Sequence, residues 1–128
     1  MTVTKKISLI LLIIGYIAAG INHFRVPEFY IAIIPHYIPY PQFMNAAAGI
    51  FEILFGLGLA FKITRKLAAW GIVLMLLAFL PVHITMITDA PFKVGNTTVT
   101  LLLAWLRLAL QPVLIAWAWW HTKDNKVL

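Results

Sequence analysis

Residues 48–63, AGIFEILFGLGLAFKI, and residues 98–120, TVTLLLAWLRLALQPVLIAWAWW, are apolar runs that each hold one full charge well inside them, Glu52 and Arg107. Runs of this composition read as membrane-spanning helices, and a charge at bilayer depth is costly enough that it is usually paired or functional. These stretches decide the fold, and the charges inside them are where a function is sought. Working outward, the spans are expected at about residues 46–63 and 99–120, joined by apolar runs at about 7–24 and 67–88. Each approaches the roughly 17 to 25 residues that a spanning helix needs. The expected fold is all-α: a single-domain, integral membrane four-helix bundle over residues 1–128.

The composition agrees. Of 128 residues, 62% are hydrophobic and 11% charged, far more apolar than a typical soluble domain. A net charge of +6 raises the question of nucleic acid, but the basic residues gather at span ends, where topology signals belong, and no nucleic-acid partner is expected. Cysteine is absent, which excludes thiolate nucleophiles, disulfide exchange and Fe–S ligation by this chain. The opening MTVTKKISLILLIIGYIAAG has the form of a secretory signal, with Ala18-Ala19-Gly20 as a cleavage point, yet the same run makes a complete first span and is read as an uncleaved helix.

Lys5 and Lys6 precede the first span, Lys62, Arg65 and Lys66 fall between the second and third, and Lys123 and Lys126 follow the fourth. The opposite loops hold only Arg25 and Lys93, so a multi-pass protein of the cell membrane with both termini cytoplasmic is expected. Trp70, Trp117, Trp119 and Trp120 then lie near the inner interface. The first outer loop, RVPEFYIAIIPHYIPYPQF (25–43), is rich in proline and aromatic residues. Pro27 suits the first position of a short helix, whereas the later prolines forbid a continuous one. Its aromatic residues Phe29, Tyr30, Tyr37 and Tyr40 read either as an interfacial belt or as a lid over a cavity. Lys93-Val94-Gly95-Asn96 marks the second outer turn.

With this topology Glu52 and Arg107 lie at nearly the same depth in the outer half, and a buried salt bridge between them is expected to hold the second and fourth helices in register. Arginine suits the task because its planar fork of five donors engages a carboxylate and leaves donors over. Spacings of three, four and seven put Asn45, Gly49, Glu52 and Gly56 on one stripe, and Thr100, Ala104, Arg107 and Gln111 on another. Asn22 and His23 end the first helix, and His83 follows the kinking Pro81 in the third. Asn22, His23, Asn45, Glu52, His83, Arg107 and Gln111 are therefore the candidate ligand-binding residues. The inner half is nearly all Leu, Ile, Ala and Trp, so a pocket should open outward. The competing account makes Glu52 and Arg107 a structural clasp, Asn22 and Gln111 interhelical glue, and His83 a satisfied interface histidine. His121 and Tyr16 carry no specific signal. No metal-ligand spacing, phosphate loop or nucleophile elbow occurs, and no catalytic residue can be named.

The order of residues resembles the DoxX-like family of small four-helix membrane proteins. The likeness runs through Gly20-x-Asn22-His23-Phe24, Pro27-x-Phe29-Tyr30, Gly49-x-x-Glu52-x-x-x-Gly56, Arg65-x-x-Ala68-Ala69-Trp70-Gly71, Pro81-x-His83-Ile84-x-Met86, and Arg107 followed by Gln111-Pro112. The family takes its name from a subunit of an archaeal thiosulfate:quinone oxidoreductase, and it has relatives beside other redox systems and a branch that assists receptor assembly. The resemblance implies the four-helix fold and an association with redox chemistry or quinone. Many members carry Asn at the position of His83, so no role for this histidine is carried over.

Two functions follow as expectations. The first is a subunit that binds a small hydrophobic molecule, a quinone or lipid held non-covalently, or that accompanies a redox protein, with Arg107 and His83 donating to the ligand and Glu52 holding Arg107. The second is a structural or assembly factor for another membrane protein. A proton-coupled carrier would need a polar path through the inner half, and acid–base catalysis would need a Glu52 free of its arginine.

Overall fold

The computed structural model describes residues 2–123. Lys126, one of the topology charges, lies outside the described residues. Helix α1 (Val3–Arg25) starts where the Thr2 hydroxyl accepts the Lys5 amide at 3.1 Å. Pro27 opens the short α2 (Pro27–Ile33) from its first position, as a residue with no N–H to satisfy does best. Helix α3 (Pro41–Ala60) likewise begins on a proline, five residues before the expected start at 46, and stops before the turn that leads into α4 (Arg65–Ala78). Phe79 interrupts the third apolar stretch, and α5 (Leu80–Asp89) restarts with Pro81 in its first turn. Two short strands, β1 (Phe92–Val94) and β2 (Thr97–Val99), pair as an antiparallel hairpin. Gly95 supplies the positive φ, +61°, that its two-residue turn needs. Helix α6 (Leu101–Trp120) follows, capped by the Thr100 hydroxyl.

Four segments are long and apolar enough to cross a membrane: Val3–Arg25, Pro41–Ala60, Arg65–Asp89 and Leu101–Trp120. Between 17% and 39% of each span is buried inside the bundle, and Leu11, Leu54, Leu74 and Leu102 are among the large side chains turned outward. Such a surface suits lipid and would be untenable in water. Helices α1 and α4–α5 run one way, α3 and α6 the other.

Glycines set the closest contact in the bundle. A Cβ on Gly20 would sit 2.6 Å from the Gly49 carbonyl oxygen, and one on Gly56 would sit 2.8 Å from Ile17. Only bare backbones allow α1 and α3 to approach this far, the small-residue packing usual where lipid supplies no hydrophobic driving force. Leu12, Leu59, Ile72 and Leu76 fill an apolar core at the end where α1 begins and α6 finishes. A smaller core of Met86, Val99 and Ala104, joined by Phe29 and Ile33, seals the hairpin end beneath α2.

Candidate functional site

The close α1–α3 seam brings the last turn of α1 against the first half of α3. There Asn45 grips His23 twice. Its Nδ2 donates to the His23 carbonyl oxygen at 3.0 Å, and its Oδ1 lies 2.7 Å from His23 Nδ1. A backbone carbonyl only accepts, so the amide must face it with its NH2 group, and the Oδ1 that remains can only accept from Nδ1. The hydrogen on His23 is thereby assigned to Nδ1. The other ring nitrogen, Nε2, lies 3.4 Å from Glu52 Oε1.

The expected salt bridge between Glu52 and Arg107 is not what the structure contains. Among the described residues the carboxylate pairs with His23, and Arg107 instead donates from Nη1 to Gln111 Oε1 at 3.0 Å. The physical reason is the glycine seam, which places α1 nearer to Glu52 than α6 can come. Arg107 and Glu52 instead line one space between the helices.

That space is a cavity of about 790 Å³ under α2 and the hairpin. His23, Asn45, Glu52, His83 and Arg107 all line it, against walls that include Ala48, Phe79, Val82 and Leu106. Two polar atoms here are buried without a hydrogen-bond partner among the described residues, Glu52 Oε2 and His83 Nδ1. Arg107 makes one hydrogen bond among the described residues, which leaves most of its five N–H donors unengaged.

The remaining candidates do other work. Gln111 is fully buried but does not line the cavity; its Nε2 donates at 2.6 Å to the Leu76 carbonyl, in the last turn of α4, where intrahelical donors have run out. Its two ends therefore cap α4 and steer Arg107. Asn22 also lies off the cavity, donating to the Tyr30 hydroxyl at 2.6 Å and accepting from Arg25. Of the four aromatic lid candidates, Phe29 and Tyr30 line the cavity, and the Tyr30 ring stacks on His23 with centroids 3.9 Å apart. Tyr37 and Tyr40 do not line it; they are 73% and 75% exposed. Tyr40 has a φ of 53°, a left-handed conformation unusual for a bulky residue, in the turn that delivers Pro41 to the head of α3.

The opposite end departs from the apolar inner half expected. Trp117 Nε1 donates to Ser8 Oγ at 2.7 Å, Ser8 Oγ lies 3.0 Å from His121 Nε2, and the buried Arg65 donates from Nε to the Leu59 carbonyl at 2.7 Å.

Residues 12–122 match the model of a family described as Domain of unknown function (DUF8561), and the chain belongs to that family. No curated protein and no solved structure matches it.

Proposed function

We propose that this member of the DUF8561 family is a multi-pass protein of the cell membrane that binds a small hydrophobic molecule, a quinone or lipid, in the cavity at its hairpin end. The single observation that carries the reading is that cavity, about 790 Å³, within the 300 to 1,000 Å³ usual for ligand pockets. Apolar walls around a few convergent polar groups are the ordinary makeup of such a site. Arg107 is the anchor: its unengaged N–H donors suit a carbonyl or anionic oxygen, and Gln111 holds the guanidinium in place. The resemblance to DoxX-like proteins extends the proposal to a redox-associated subunit with a membrane or redox protein as partner.

For orientation we propose cytoplasmic termini, which puts the cavity in the outer half. Lys5, Lys62, Arg65 and Lys123 cluster at the end opposite the cavity. There Lys5 Nζ lies 5.1 Å from the centre of the Trp120 ring and Lys123 Nζ lies 4.0 Å from that of Trp119. Aromatic and basic residues together suit an inner interface.

The test is ligand-induced thermal stabilisation of the full chain in detergent, with a short-tailed benzoquinone and with a bilayer phospholipid as separate probes. Wild type should be stabilised by at least one. Arg107→Met should keep its helix content and lose the stabilisation. A mutant that is stabilised as strongly as wild type would remove Arg107 from the site.

A further inference from the structure

Glu52 lines the cavity, and its buried Oε2 has no hydrogen-bond partner among the described residues. The fixed His23 ring says what kind of atom this is. With Nδ1–H committed to Asn45, Nε2 faces Glu52 Oε1 at 3.4 Å, and a bare lone pair against a bare carboxylate oxygen would repel. A proton on Nε2 or on Oε1 makes the contact attractive instead. If Nε2 holds it, Glu52 is a carboxylate; if Oε1 holds it, Oε2 is the carbonyl oxygen of an acid. In either state Oε2 accepts and does not donate.

Oε2 is also buried and without a partner among the described residues, a condition that costs free energy unless something fills it. Arg107, on the same cavity, only donates. A ligand headed by a carbonyl or an ether oxygen would suit Arg107 and leave Oε2 bare. A hydroxyl group both donates and accepts, and so answers both side chains.

We infer that the cavity selects hydrophobic molecules with a hydroxyl head, whose O–H donates to Glu52 Oε2 while the hydroxyl oxygen accepts from the donors on the opposite wall. This rests on the binding reading above and narrows its ligand class: a hydroquinone or other hydroxyl-headed lipid is preferred over a quinone. Asn45 and His23 act as positioning residues, since they hold Glu52 with its second oxygen left for the ligand.

The experiment compares para-decylphenol with its methyl ether, which shares the ring and the tail but lacks the donor. Both are titrated calorimetrically into the full-length protein in detergent. Wild type should bind the phenol about tenfold or more tightly than the ether, the range expected when a buried acceptor loses its donor. Glu52→Leu, which removes the acceptor, should shrink that preference to about twofold, and in wild type the carboxyl infrared band should shift with the phenol and not with the ether. Equal binding of both probes would overturn the hydroxyl assignment and leave the binding reading standing. Binding of neither, by folded protein, would overturn both. Full preference retained in Glu52→Leu would move the selection away from Glu52, and if that variant fails to fold, an unshifted infrared band in wild type has the same consequence.

Discussion

The two ends of this bundle hold polar clusters that differ in what they adjoin, a packed core at one and a cavity at the other. At the end where α1 begins, Trp117, Ser8 and His121 form a chain of contacts, and Arg65 spreads across the last turn of α3 by donating to the Leu59 and Ala60 carbonyls at 2.7 and 3.2 Å. Leu12, Leu59 and Ile72 pack in the adjoining core with almost no exposure. At the hairpin end Glu52 and His83 each keep a buried polar atom without a partner among the described residues, beside a cavity rather than a core. Polar groups set against a packed core read as support, and polar groups that line a cavity of ligand size read as a site. On the proposed reading, the same small fold separates stability from binding along its length.

The harshest way to break the comparison is at the seam both ends share. In Gly20→Val the new Cβ would fall 2.6 Å from the Gly49 carbonyl oxygen, which is backbone and cannot swing aside. Overpacking of this kind costs about 1–3 kcal/mol and more where backbone must move. The variant should show a larger drop in unfolding temperature than any other substitution proposed for this chain and should lose ligand binding too, because His23 and Glu52 meet only across this seam. A variant with wild-type melting in detergent would mean that α1 and α3 are not packed this closely.

A milder blow at the supporting end should divide the two properties. Arg65→Met leaves two carbonyls of α3 without their charged donor, at a cost of about 2 kcal/mol. Melting should fall while the affinity of the cavity for its ligand, measured below the new transition, stays within about twofold. Loss of affinity at this distance would show that the ends are coupled and that stability and binding are not divided along the bundle.

The placement of the four spans was legible because apolar run length is a direct measure of what a helix can cross. Their edges were less so. A span begun at residue 46 treats Pro41 purely as a breaker, yet proline is well tolerated at a helix start, and α3 begins there. The candidate site was legible as a set of residue types at one depth: five of the seven proposed ligand residues line one cavity. Their pairing was not. Depth along a helix follows from counting residues, but which partner Glu52 finds depends on helix rotation and on how near each neighbour lies. Gly20 and Gly49 decide that distance, and each stands three residues before the side chain it delivers, His23 and Glu52. The signal was present in those glycines and needed the antiparallel contact of α1 with α3 to be read. Ser8 and His121 escaped for a different reason: single polar residues near span ends are ordinary at a membrane interface, and only their mutual contact sets them apart.

The smallest expected effect is the sharpest test of the contrast, because its sign is opposite to the others. His83 is 6% exposed, and its Nδ1 has no partner among the described residues, so its burial brings a desolvation cost with no hydrogen bond to offset it. His83→Leu removes that cost at nearly the same volume, and the empty protein should melt at the same temperature or higher, by no more than about 1 kcal/mol in stability. The equivalent removal at the supporting end, Ser8→Ala, strips a partner from both Trp117 and His121 and should destabilise by about 1–2 kcal/mol. If the two variants shift melting in the same direction by the same amount, His83 is a structural group like Ser8, and the hairpin end has no special claim to being a site.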